Sequence, residues 1–223
     1  MRFLRENSLS IVFGLIFLIA LGGQSIAGHH EYNQQQLVHD SGTITYGRYL
    51  VSSQFGVAVL ENWQSEYLQF FLFIFATVWL FQRGSNESKE LEEIGVESDQ
   101  KQKVGGYADE SSPRWARTPG WRLRLYSNSL LILMGAIFLA SWFGQSVTGW
   151  TEFNDDQLEH HQATVSWTGY LAEPDFWERT LQNWQSEFLA VGSMAVFSIY
   201  LRQRGSPESK PVGAPHSETA SSG

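Results

Sequence analysis

The sequence predicts an all-α membrane protein with four transmembrane helices, at about 8–28, 55–81, 128–149 and 176–201, arranged as two tandem parallel-repeat helical hairpins. Three observations predict it. Four runs carry no charged residue: Leu9 to Gly23, Tyr67 to Phe81, Leu130 to Gly144 and Phe188 to Leu201. Six of the nine tryptophans, Trp63, Trp79, Trp142, Trp150, Trp177 and Trp184, lie near the ends of such runs, as the aromatic belts of membrane proteins do. Finally, the chain resembles itself at one constant offset.

Each uncharged run is 14 or 15 residues long. Polar and aromatic flanks bring each to the roughly 20 residues that cross a hydrocarbon core. Four buried helices of a soluble bundle would carry a polar face, which the centres of these runs lack. The chain of 223 residues contains no cysteine, which excludes disulfides, thiolate metal sites and thiol nucleophiles. A net charge of −8 argues against nucleic acid as a partner.

The self-similarity pairs residues 4–89 with 125–210 without a gap, an offset of 125 − 4 = 121, and about 37 of the 86 pairs are identical. Tandem duplication is the economical explanation. Residues 1–89 form the first two-span repeat, 90–124 a polar linker, 125–210 the second repeat and 211–223 a tail of disordered composition. An even number of spans per copy gives both copies the same orientation.

Taken in order, span one begins after Asn7-Ser8-Leu9 and span three after its duplicate Asn128-Ser129-Leu130. Arg2, Arg5 and the small residues 25–28, SIAG, also have the make-up of a secretory signal. The matching 146–149, SVTG, is internal to the chain, so the first run is read as a span that is not cleaved. Span two starts at Ser52 or Ser53 as cap, and span four at Glu173 and Pro174, proline being tolerated in a first turn. Gly84 and Gly205, each after an arginine, are the expected helix stops. Lysine and arginine gather before span one, between spans two and three and after span four. Both termini are therefore expected on the cytoplasmic side. The loops at roughly 29–53 and 150–174 face outside, and "TITYGRYL" and "TVSWTGYL" within them suggest short extended or interfacial stretches.

The residues that can carry chemistry are few. "ENWQSE" at 61–66 and "QNWQSE" at 182–187 place carboxylates and amides where spans two and four begin. Asn62 and Glu66 share a helix face, and Gln24 stands at comparable depth on span one. This gives a polar cluster of Gln24, Asn62 and Glu66, with its copy Gln145, Asn183 and Glu187. Two readings stay open for it: an ion or small-ligand site inside the membrane, or an anchoring of the helices at the interface, with Trp63, Arg83, Trp184 and Arg204 as interfacial anchors. His29, His30, His39, His160 and His161 with nearby acids fit no metal motif and read as loop residues, so no metal and no cofactor are expected. "QRGSNESK" and "QRGSPESK" end spans two and four. They read either as a helix stop with a basic anchor or as a site for a partner or lipid headgroup.

Arg114, Arg117, Arg122 and Arg124, interleaved with Trp115 and Trp121, form a patch suited to anionic lipid. In span three, Gly135, Ala136, Ala140 and Gly144 offer close helix packing. Span four, with Val191, Gly192, Met194 and Val196 where span two has phenylalanines, is the expected packed centre. No phosphate loop, nucleophile elbow or zinc-helix motif is present, so no enzyme is expected.

The tandem NWQSE, the RGSxESK ends and the NSL starts together resemble an uncharacterised family of small bacterial membrane proteins, classed as a domain of unknown function. The resemblance covers nearly the whole chain. It implies a multi-pass protein of the bacterial cytoplasmic membrane and implies no activity. The expected roles are a noncatalytic structural or accessory protein, or a small transporter or channel that uses the paired Glu/Asn/Gln clusters as a homo-oligomer.

Overall fold

A computed structural model describes residues 2–38 and 41–220; His39 lies outside the described residues. Among the described residues the protein has eight α-helices and no strand: α1 Arg2–Glu6, α2 Ser8–Val38, α3 Tyr46–Leu50, α4 Ser53–Trp79, α5 Trp121–Ser127, α6 Ser129–Glu159, α7 Trp167–Tyr170 and α8 Pro174–Tyr200. Short 3-10 turns occur at Leu91–Glu93 and Gly105–Tyr107. The bounds of α2 and α6 are 121 apart at both ends (129 − 8 and 159 − 38), and those of α4 and α8 likewise (174 − 53 and 200 − 79).

α2 and α6 are long and apolar enough to cross a bilayer. α4 and α8 carry Glu61 and Glu66, and Asp175, Glu178, Arg179 and Glu187, which lower their hydropathy. α2 and α6 also run ten residues beyond the expected span ends, through the segments read as loops. At 1.5 Å per residue, 31 residues make a rod of about 46 Å. The stretches expected to be extended or interfacial form the single-turn helices α3 and α7, because Thr45 and Ser166 cap them: Thr45 Oγ1 accepts from Arg48 N at 3.4 Å and Ser166 Oγ from Gly169 N at 3.1 Å.

The helix starts follow from side chains reaching backbone. Asn7 Nδ2 donates to Phe3 O at 2.9 Å and Asn128 Nδ2 to Arg124 O at 2.8 Å, closing the short helices α1 and α5 as α2 and α6 begin. Ser8 and Ser129 do the same to Arg5 O and Tyr126 O. Between the two possible caps of α4, Ser52 is the one used, its Oγ accepting from Phe55 N at 3.2 Å. Pro174 occupies the first turn of α8.

The chain divides into two compact units: residues Met1–Leu60 with Gly144–Tyr170, and Glu61–Phe143 with Leu171–Gly223. In the first, one device recurs in each half. Asn33 Nδ2 donates to Ile44 O at 3.0 Å while Ile44 N donates to Asn33 Oδ1 at 2.8 Å; Asn154 and Val165 do the same at 3.0 and 2.9 Å. Each side-chain amide thus pairs the N–H and the C=O of one residue beyond the helix end. His29 Nε2 meets Ile44 O at 2.8 Å, and Trp150 Nε1 donates to Val165 O at 2.8 Å from the equivalent place. Ser25 Oγ bonds Tyr46 Oη at 2.7 Å, matched by Trp167 Nε1 donating to Ser146 Oγ at 3.2 Å. Tyr49 and Tyr170 are buried over Gly28 and Gly149. Leu60 presses against Gly144 here, as the small-residue spacing of α6 predicts.

In the second unit Gly135 receives the ring of Phe71, 3.0 Å from where a Cβ would stand. Trp142 organises an aromatic cluster, stacked on Phe138 (5.7 Å) and Phe176 (6.1 Å) and packed on Trp177 and Trp184. Several tryptophans read as a belt are therefore packed on one another. On α8, the helix read as the packed centre, Phe176, Thr180, Ser198 and Ile199 are buried, while a Cβ at Gly192 would meet nothing within 4 Å. Residues 211–220 follow α8 as turns held by Lys210 and His216.

Gly28→Ala places a Cβ 2.1 Å from the Tyr49 hydroxyl. The Tyr49 ring is pinned between His29, Tyr32 and Phe55, so it cannot swing away. The variant loses about 1–3 kcal/mol. Paired with Tyr49→Phe, which removes the obstructing oxygen, the loss shrinks. A double-mutant cycle of unfolding midpoints in detergent checks the coupling, and additive losses would refute it.

Candidate functional site

The segment 61–66 presents to the protein other side chains than its charge suggests. Gln64 and Ser65 are 0% and 1% exposed, whereas Asn62 and Glu66 are exposed. The reason is helix phase: Val57, Gln64 and Leu68 recur at spacings of seven and four and form the inward stripe. Gln64 Nε2 donates to Glu61 O at 3.1 Å, and Gln64 Oε1 accepts from Trp184 Nε1 at 2.8 Å. Trp184 is thus tied to α4 and packed on Trp142. Arg83 and Arg204 are exposed, and Trp63 is 38% exposed. Sequence reasoning passed over Gln64 although the 57–64–68 spacing marks it.

The two expected clusters are divided between the units. Gln24 and Gln145 belong to the first; Asn62, Glu66, Asn183 and Glu187 belong to the second. Gln24 Nε2 donates to Ala58 O at 3.4 Å, and Gln145, 1% exposed, keeps both side-chain polar atoms without a hydrogen bond. Asn183 Nδ2 turns back to Arg179 O at 2.8 Å on its own helix. Glu66 and Glu187, equivalent by the 121 offset, lie within electrostatic range of each other. Gln69 Nε2 donates to Glu187 O at 3.0 Å, joining α4 to α8 beside this pair. Glu61 is balanced by Arg179, 4.0 Å away, which Asp175 holds at 3.2 Å.

After α4 and α8 the two RGSxESK segments fold into the same turn. Gln82 N donates to Ser88 Oγ at 3.0 Å and Gln203 N to Ser209 Oγ at 2.9 Å; Glu87 N donates to Ser85 Oγ and Glu208 N to Ser206 Oγ, both at 3.2 Å. The serines thus have a structural task in each copy. The helices end at Trp79 and Tyr200, before the glycines, which instead supply positive φ to the turn, 85° at Gly84 and 84° at Gly205.

Both lysines of the motif are occupied. Lys89 Nζ donates to Gly95 O at 3.0 Å and pairs with Glu97 at 3.2 Å. Lys210, 1% exposed, gives its ammonium to Gly84 O (2.6 Å), Pro215 O, His216 O and Glu218 O. Gly95 N reaches Val78 O at 2.8 Å, and His216 Nδ1 reaches Ile199 O at 3.0 Å. Positions 95 and 216 differ by 121, so the structural likeness runs past the last matching residues, where the sequence shows none.

Glu87 and Glu208 line one cleft and lie within electrostatic range of each other. Burial first, and then the Glu208 carboxylate, hold the Glu87 carboxyl above the usual range. Arg114, Arg117, Arg122 and Arg124 are exposed, Arg122 lying over the Trp121 ring at 5.6 Å, and Trp115 packs on Trp121. Among the described residues no three His, Asp or Glu side chains converge as a metal site.

These features define an all-helical protein with two helices of transmembrane length and apolarity, and with equivalent carboxylates set in pairs. The chain belongs to DUF6766, a domain-of-unknown-function family whose model matches residues 1–221. No curated protein and no solved structure matches it.

Equal residues in the two turns have unequal surroundings. A Cβ at Gly84 would stand 2.3 Å from His216 O, whereas one at Gly205 meets nothing. Gly205→Ala therefore costs only the positive φ, about 1–2 kcal/mol. Gly84→Ala adds a backbone collision, for about 2–5 kcal/mol. Unfolding midpoints rank the two; equal losses would contradict the assigned contact. The raised Glu87 carboxyl stabilises the fold while protonated, fully below the ordinary glutamate value of about 4.3. That contribution is lost as pH rises through the raised value. Glu87→Gln should flatten this dependence and raise the midpoint at neutral pH, as a midpoint-against-pH series reads directly.

Proposed function

We propose that the protein is integral to the bacterial cytoplasmic membrane, with α2, α4, α6 and α8 as four spans. In this reading the chain is a tandem duplication of one helical hairpin, its termini and the 90–124 linker are cytoplasmic, and its role is noncatalytic, structural or accessory. The observation that carries the membrane reading is the exposure of α2. Only 6% of its most apolar 18-residue window is buried by protein, whereas the core helix of a soluble protein is mostly buried. Lipid is the medium that covers such a surface. The matched bounds of α2 with α6 and of α4 with α8 support the duplication. The exposed arginines at 114–124 suit anionic inner-leaflet lipid, at roughly 1 kcal/mol per basic residue.

A second reading, an oligomeric transporter or channel, draws on the approach of Glu66 and Glu187 and on the unsatisfied amide of Gln145. Flux of protons, common cations or small solutes in proteoliposomes, lost in Glu66→Gln and Glu187→Gln, would favour it. No flux in the wild type leaves the accessory role.

The absence of cysteine gives a clean background for topology mapping. In intact cells an impermeant thiol reagent should label Thr43→Cys and Ala163→Cys, and should label Glu110→Cys only after permeabilisation. The protein should also resist alkaline carbonate extraction. Outside labelling at 110, or extraction into the soluble fraction, would overturn the topology or the membrane reading respectively.

A further inference from the structure

Within the second unit an open cleft of about 210 Å³ lies between α4 and α8. Its walls are apolar, with Phe70 and Phe73 on one side and Val191 and Met194 on the other, and Glu87 and Glu208 also line it. The cleft lies where α4 presents Phe70 and Phe73 and α8 presents Ala190, Val191 and Met194.

The charge in this cleft is unbalanced. Among the described residues neither glutamate forms an ion pair with a lysine or arginine. The lysines of the same two turns are committed elsewhere, Lys89 to Gly95 O and Glu97, and Lys210 to four backbone carbonyls. The backbone bonds of Glu87 and Glu208 to Ser85 and Ser206 fix the turns that deliver both carboxylates. Two acids set together without a cation, at the edge of an apolar and partly aromatic groove, complement a positive head on an apolar tail. The carboxylates attract such a head, and the apolar walls favour its tail.

We propose that this cleft binds a single-chain amphiphile with an ammonium head, the head between Glu87 and Glu208 and the chain along Phe70, Phe73, Val191 and Met194. The proposal goes beyond the accessory role and rests on the membrane reading only for its supply of amphiphile. A bare cation would gain nothing from the apolar walls, and an anionic lipid would meet two like charges.

The probe is radiolabelled dodecyltrimethylammonium, measured by equilibrium dialysis on the full chain in phosphatidylcholine nanodiscs, with empty nanodiscs subtracted. Saturable, stoichiometric binding is expected, at least tenfold weaker in Glu87→Gln/Glu208→Gln. It should be lost in Val191→Trp, which fills the groove and leaves both charges. Unfolding midpoints no lower than that of the wild type certify each variant, and Met194→Trp substitutes if Val191→Trp fails to fold.

Uptake equal in all variants is partitioning and overturns the proposal, as does equally strong binding of tetramethylammonium or dodecyl sulfate. Saturable binding of an arginine-rich peptide in place of the amphiphile would assign the pair to a protein partner and also overturn it. Because carbonate extraction tests insertion separately, failure here with insertion intact removes the cleft assignment alone.

Discussion

Wherever water is scarce, a peptide group that leaves a helix must find its hydrogen-bond partner within the chain. Here side chains at the helix ends supply that partner, and the rest of the structure follows from their reach. Asn33 and Asn154 each pair the N–H and the C=O of the residue eleven positions on, which brings α3 and α7 back against the helices they follow. Ser88 and Ser209 close the turns after α4 and α8, and Lys210 gathers four carbonyls at once. Leaving such buried groups unpaired costs about 1–3 kcal/mol each, which is why these polar residues stand beside apolar helices.

The same reach fixes where charge can stand. With both motif lysines held by carbonyls or by Glu97, the glutamates of the two turns are left to face each other. The helices above them meet through Gln69 and Glu187 and through Gln64 and Trp184, neutral contacts that tolerate desolvation better than an unbalanced charge. Glu61 shares Arg179 with Asp175, so its charge is balanced.

Much of the helical architecture was legible in the sequence because hydropathy and the 121-residue offset are long-range patterns that single residues cannot blur. The starts of α4 and α8 were legible at Ser52 and Pro174, since capping is local chemistry. Helix ends were not. α2 and α6 continue through polar sequence because their stop is set by a distant peptide binding Asn33 or Asn154, not by a local breaker. The inward choice of Gln64 over Glu66 depends on helix phase against Trp184. The meeting of Glu87 with Glu208 depends on two turns 121 residues apart. The latter is written in no short stretch.

Two nearly identical peptides, one after α4 and one after α8, have been left with unequal freedom to change. The carbonyl of residue 216 closes position 84 to any side chain, while position 205 stands open. Beside that carbonyl, the positive φ of position 84 and an Ile199 methyl 3.1 Å from a Cβ there restrict it further. The latitude of position 84 is thus set in part by a carbonyl in the tail, so a change near one end of the chain is felt at its middle.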